Sequence, residues 1–373
     1  MEGGCEDVRT IRHSGISPIV LHPSFLPDLT PATNGHPTRR AFIGGIAVLA
    51  TASAWPRVAW AASADPTIEH LSPLAARYLA RGTQIETIAT GIRWAEGPLW
   101  LPASKALLFS DPPANVMRRW RRKDGVSVFL SPSGSTDPDR KTVREPGSNG
   151  LALAADGALI IADSGNRALT RCDLATRKRT PLVERYRGKR FHSPNDLHIA
   201  RLGAIYFTDP PYGLVDGTTS PLRELPHNGV YRWTKGGETV LIDDSLSFPN
   251  GIALSPDERT LYVSVSDDKA PRIMAYDLDA RGLPKGRRLF LDATTLHGPG
   301  LPDGMKVAAD GTLFCSAPGG FYLMTPEAEP IARIANGGPI ANGAFGEDGR
   351  ALFLTGNDRV LRVPLARSAT TRG

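Results

Sequence analysis

Six short stretches of this chain each put an oxygen-bearing side chain at the same point of one recurring pattern. They are Glu96-Gly97-Pro98, Ser148-Asn149-Gly150, Pro194-Asn195-Asp196, Pro249-Asn250-Gly251, Pro302-Asp303-Gly304 and Ala341-Asn342-Gly343. Alone, a P-N-G or P-D-G is turn chemistry, because glycine supplies backbone angles that bulkier residues avoid. The set says more, because two of its members, Glu96 and Asp303, are carboxylates and the other four are amides. Two negative charges match a divalent cation, and hard cations take carboxylate, amide-carbonyl and water oxygens. Asn195 and Asn250 offer neutral oxygens to the same ion. Cysteine ligands and an H-E-x-x-H stretch are both missing, which argues against structural or protease-type zinc. One divalent ion is therefore expected, Ca²⁺ first, with Zn²⁺, Mn²⁺ and Mg²⁺ left open. Asn149 and Asn342 are expected to be the structural members, with Asn149 also placed to reach a substrate.

Such a set converges only if the chain brings equivalent positions together. The copies recur every roughly 40 to 55 residues, the period of β-propeller blades. Each holds an alternating run such as Leu151-Ala152-Leu153, a turn, and a β-rich run such as Ala204-Ile205-Tyr206-Phe207-Thr208. Further strands are expected at Leu169 to Leu174, Gly229 to Trp233, Arg272 to Leu278, Gly320 to Met324 and Val360 to Val363. The expected fold is all-β, a six-bladed propeller of four-stranded antiparallel blades spanning 83–366. Gln84 to Ala89 is expected to seal the ring by completing the last blade. Residues 65–82, with Leu74 to Leu79, read as a short helix outside the ring, and 367–373 as a tail.

The remainder of the chain bounds the function. It has 373 residues, 41% hydrophobic and 22% charged, with 38 Gly and 32 Pro, as many short strands with many turns require. The net charge of +6 is scattered apart from Arg118 to Lys123 and Arg185 to Arg190, and no nucleic-acid motif accompanies it. No nucleic-acid partner is expected. Thr38-Arg39-Arg40-Ala41-Phe42-Ile43 opens an apolar run, Ile43 to Ala54, that leads to A-x-A sites at Ala59-Trp60-Ala61 and Ala62-Ser63-Ala64. This resembles a bacterial twin-arginine export signal, so 1–64 is expected to be removed and the mature protein to be periplasmic. The run is too short to span a bilayer, so no lasting membrane insertion is expected. The unpatterned stretch before Thr38 points to a start codon downstream of Met1. Cys5 falls in the removed part. Cys172 and Cys315 lie in non-adjacent repeats and are expected to be free thiols.

Particular motifs carry a family resemblance. Trp94-Ala95-Glu96-Gly97-Pro98-Leu99-Trp100, Ser193-Pro194-Asn195-Asp196-Leu197, Tyr206-Phe207-Thr208-Asp209-Pro210-Pro211-Tyr212-Gly213, Phe248-Pro249-Asn250-Gly251 and Leu301-Pro302-Asp303-Gly304-Met305-Lys306 resemble the gluconolactonase and senescence-marker-protein (regucalcin-like) family. The resemblance covers about residues 84 to 365 and implies a six-bladed propeller with one catalytic divalent metal in its channel. It implies that Glu96, Asn250 and Asp303 are metal ligands and that Asn195 touches metal or substrate. It also implies a small-molecule lactone as substrate, hydrolysed to the hydroxy acid. Asp303 would serve as general base or orient the attacking water, and Asn149, Asn195 and Tyr212 would meet the substrate. One departure stands out: animal members carry an arginine where this chain has Ser193. The metal chemistry therefore transfers more readily than the substrate. His192, His198 and His297 lie near the motifs and read as structural. The rival readings are an organophosphate-type hydrolase on the same scaffold and a non-catalytic, partner-binding propeller.

Overall fold

The computed structural model describes residues 65–137 and 143–370. The export-type segment and Cys5 lie outside the described residues.

The apolar runs become strands that are buried on both faces. In Ala106–Asp111, Leu107 and Phe109 pack with Phe353 and Val360, whereas Leu108 packs on the other face with Leu151 and Leu159. A sheet whose two faces both need an apolar neighbour is satisfied by a closed radial array. Six four-stranded antiparallel blades form that array, and six apolar clusters fill the gaps between neighbouring blades. The innermost strands of blades I to VI are Glu96–Leu101, Leu151–Leu153, Leu197–Ile199, Pro249–Leu254, Met305–Val307 and Asn342–Gly346.

An N-terminal strand closes the ring. Glu86–Ala89 pairs with Arg359–Pro364 and becomes the outer strand of blade VI. A second, unanticipated strand, Thr67–His70, pairs with Pro330–Ala335 and gives blade V a fifth strand. Between these two strands the expected short helix is 3-10 in type, Pro73–Arg77, opened by Ser72, whose hydroxyl accepts the Leu74 N–H. Tyr78 and Leu79 then bury among Phe314, Leu352 and Leu361, across the junction of blades V and VI. Cys172 packs between blades I and II and Cys315 between blades IV and V, both as buried free thiols. Among the described residues, no helix is long and apolar enough to cross a membrane.

The x-N-G and x-D-G stretches are not turns. The strand of blade IV begins at Pro249 and that of blade VI at Asn342. Their glycines are needed because innermost strands of adjacent blades touch around the channel. A Cβ on Gly251 would sit 2.2 Å from the Asp303 carbonyl oxygen, and one on Gly97 would sit 2.0 Å from that of Asn149.

Candidate active site

At the N-terminal ends of the innermost strands lies a cavity of about 870 Å³, lined by Glu96, Asn149, Asn195, Asn250 and Asp303 together with Tyr212. Five of the six repeat positions thus meet in one place. The sixth, Asn342, does not line the cavity. Its amide reaches Asp196 Oδ2 at 3.3 Å, and its Oδ1 accepts from Gly343 N at 2.8 Å and Lys306 Nζ at 3.3 Å. It is a structural tie, as expected.

The ring carries unusual electrostatics. Glu96 is 4% exposed and accepts only from Trp94 Nε1 at 3.1 Å and Gly97 N at 3.2 Å. Burial pushes its carboxyl up to about 8, the hydrogen bond from Trp94 offsets part of the rise, and the Asp196 and Glu145 carboxylates add to it. Asp303 keeps some exposure through the cavity but is surrounded by protein atoms. Burial first, then the Glu96 and Asp196 charges, hold its carboxyl well above the usual range. Like charges drawn together in a dry site are costly unless a cation joins them.

Asn250 supplies the second sign of a missing partner. Its Nδ2 donates to Ser266 Oγ at 2.9 Å, which leaves Oδ1 buried without any hydrogen bond. An orphaned amide oxygen beside two unpaired carboxylates is a donor set that fits a hard cation. Among the described residues, no group of three or more His, Cys, Asp or Glu is arranged to hold a metal. An ion here therefore depends on amide oxygens as well, from Asn250 and Asn195. Tyr212 lies beside this set, stacked on Phe248 with ring centroids 6.1 Å apart. Its hydroxyl is also buried and unpartnered, though Ser266 and Asn250 are nearby. Burial raises its pKa, so it is present as a neutral donor.

Several supporting residues escaped the sequence reading. Asp111 accepts from Arg93 N and Trp94 N at 3.3 and 3.4 Å, and so sets the tryptophan that holds Glu96. Asp209 does the same two blades later, accepting from His192 N and Ser193 N at 2.8 Å ahead of Asn195. Burial pushes Asp209 up to about 7. A hydroxyl faces the ring residue in five of the six second strands, at Ser110, Thr208, Ser264, Ser316 and Thr355, with Ala162 in the sixth. Ser110, Thr208 and Ser264 donate to the ring carbonyls of the next blade, at Asn149, Asn250 and Asp303, over 2.8, 2.6 and 2.7 Å. The recurring -S-D, -T-D and -S-A strand endings were the available signal. His192 packs between Asn228 and Leu225, and burial pushes it down to about 4. Burial, with Lys306, does likewise to His198. Neither these two nor His297 lines the cavity.

Known proteins are similar to this chain in sequence and fold. The chain is 47% identical over 303 residues to a gluconolactonase of Zymomonas mobilis, covering 79% of this chain and 85% of that protein. It is 27% identical over 308 residues to the lactonohydrolase oryL of Aspergillus oryzae, covering 72% and 67%. The solved gluconolactonase XC5397 of Xanthomonas campestris superposes with a TM-score of 0.70 at 33% identity, over 81% of this chain and 95% of that one. Residues 94–357, from the tryptophan that holds Glu96 to the turn after the second strand of blade VI, match the SMP-30/Gluconolactonase/LRE-like region, and the chain belongs to that family.

Proposed function

We propose that this protein hydrolyses a sugar-type lactone to its hydroxy acid, with one divalent cation held by Glu96, Asn195, Asn250 and Asp303. The observation that carries this is the orphaned Asn250 Oδ1, on a residue that lines the same cavity as two carboxylates whose pKa values burial has raised. The gluconolactonase relative at 47% identity supports the substrate class. Ca²⁺ suits the all-oxygen donor set best, and Mg²⁺, Mn²⁺ or Zn²⁺ are the alternatives. When bound, such an ion supplies Lewis-acid polarisation of the lactone carbonyl and stabilises the developing oxyanion.

The chain's own groups do the rest. Asp303 takes the proton of the attacking water, or fixes that water's orientation, as the new C–O bond forms at the carbonyl carbon. The ring C–O bond then breaks, the proton passes to the departing alkoxide, and the product carboxylic acid ionises. A cation alone would weaken Asp303 as a base, but burial and the neighbouring Glu96 and Asp196 carboxylates push the other way. Asn149 and Tyr212 orient the substrate. Trp94, Leu301 and Ile340 form the apolar wall that limits water.

The Thr38 to Ala64 segment supports export to the periplasm, with cleavage near Ala61 to Ala64. N-terminal sequencing of exported protein tests this, and an intact Thr38-Arg39-Arg40 stretch on that material refutes it. For the activity, proton release is followed with glucono-δ-lactone, a pentonolactone and an aryl phosphotriester. Faster turnover of the lactones is the expected result. Preference for the phosphotriester establishes the organophosphatase alternative, and no turnover of any of them favours a partner-binding propeller.

A further inference from the structure

One segment of the cavity wall belongs to no strand. Residues 143–147 cross from blade I to blade II, and backbone contacts pin them on both sides. Val143 bridges Leu214, Arg144 N and Glu145 N both donate to Gly213 O at 2.8 and 3.3 Å, and Gly147 N donates to Pro112 O at 3.0 Å. Gly213 belongs to the Pro210–Gly213 turn, which Ser193 fixes. The Ser193 hydroxyl donates to Pro210 O at 2.6 Å and accepts from Gly213 N at 2.9 Å. Ser193 is 1% exposed, and a Cβ on Gly213 would sit 2.7 Å from the Ser193 Cβ. The serine that departs from the animal pattern is thus the peg of a turn that also carries Tyr212. On that turn docks the segment presenting Arg144 and Glu145 to the cavity.

Among the described residues these two side chains pair only with each other: the Glu145 side chain is 13% exposed, and its ion-pair partner is the adjacent, half-exposed Arg144 at 2.9 Å. It brings a further carboxylate into reach of Glu96 and Asp303, and its charge raises both. A cation held by Glu96, Asn195, Asn250 and Asp303 would not require it. What it offers is acceptor capacity on a rigid arm, next to guanidinium donors and the unpartnered Tyr212 hydroxyl. A neighbouring acceptor and donor pair matches adjacent hydroxyls, each of which both donates and accepts. An anionic substituent would have to draw Arg144 away from Glu145 and leave that carboxylate unpaired, so a neutral hydroxyl pair is the better match.

Resting on the lactonase reading, we infer that Arg144 and Glu145 are specificity-determining residues that read the hydroxyls of a neutral polyhydroxylated lactone. The test compares kcat/KM for glucono-δ-lactone, its 6-phosphorylated counterpart and unsubstituted δ-valerolactone in wild type, Glu145→Gln, Glu145→Ala and Arg144→Ala, with bound metal measured in each. In Glu145→Ala the glucono-δ-lactone to δ-valerolactone ratio should fall roughly 10- to 100-fold, mainly through KM, as loss of a charge-assisted hydrogen bond implies. Glu145→Gln, which keeps one acceptor, should recover part of the ratio, with metal content unchanged. An equal loss on both lactones, lost metal, or a wild-type preference for the phosphorylated lactone overturns the inference. Failure of wild type on every lactone sinks the lactonase reading itself, a result distinct from failure of this arm.

Discussion

The channel ring and the junction between blades V and VI are built from similar residue types to opposite ends. In and around these two blades, charged groups find partners. The Tyr78 hydroxyl donates to Asp310 at 2.7 Å in the junction, and within the flanking blades Arg362 pairs with Glu86 of the closing strand and with Glu347, and Arg333 pairs with Glu69 of the added strand at 2.7 Å. The chain crosses this seam repeatedly, through Thr67–His70, Glu86–Ala89 and the bond from Ala309 N to Ala369 O. In the ring, the carboxylates repel one another, and Asn250 Oδ1 and Tyr212 Oη have no partner. A fold that satisfies its polar groups this well around the seam leaves them unsatisfied in the ring, and on the function proposed above ligands would complete them there. That reading assigns stability to the seam and chemistry to the ring.

That contrast can be broken by mutation. Asp303→Asn should lower lactone turnover roughly 10³-fold at ordinary metal concentration, since it removes charge and base while keeping shape. The same change relieves like-charge repulsion, so metal-free Asp303→Asn should melt higher than metal-free wild type. A lower melting temperature would mean that the ring serves stability after all. Tyr78→Ala should do the converse. Tyr78 is 1% exposed and packs edge-on against Phe314 with centroids 5.1 Å apart. Its loss should cost about 3 kcal/mol in denaturant unfolding, with kcat at low temperature within about twofold of wild type. A large fall in kcat would couple the seam to the site.

Glu96→Gln sharpens the contrast inside the ring. It should weaken metal affinity at least about tenfold and recover activity in excess metal, which separates it from Asp303→Asn. The pH dependence follows from the same carboxylate. Glu96 shifts from an ordinary 4.5 to about 8 in the metal-free fold, so the folded state holds its proton more tightly than the unfolded chain. This stabilisation is full below 4.5 and is lost as pH rises through about 8. Metal-free protein should therefore melt progressively lower across that window, while metal affinity rises over it because a ligating carboxylate must shed its proton. Calorimetry with and without metal checks both slopes. The smallest effect is expected for Asn149→Ala, a few-fold rise in KM with metal content intact.

The ring was legible in the sequence because a propeller repeats its chemistry. Once Glu96, Asn195, Asn250 and Asp303 share a register, the fold brings them together, and the strands Gly229–Trp233 and Gly320–Met324 fall where the pattern puts them. The glycines were visible for only part of the physical reason: Gly97 does adopt a positive φ of 47°, but close approach of neighbouring strands also demands it and is what demands Gly251. Arg144 and Glu145 lie outside any repeat, and their place depends on docking to Gly213, about seventy residues onward, which no local pattern encodes. Thr67–His70 was hidden likewise, because a fifth strand on blade V is a tertiary pairing that the four-residue run does not announce.

The central claim is that the unsatisfied ring is completed by a cation and is catalytic only then. Metal-stripped protein, verified by elemental analysis, is assayed by proton release from glucono-δ-lactone before and after stoichiometric return of Ca²⁺, Mg²⁺, Mn²⁺ or Zn²⁺. The account predicts loss of enzymatic turnover on stripping and its return with one equivalent of at least one ion in wild type, but not in Asp303→Asn. Full turnover by the metal-free wild type would contradict it.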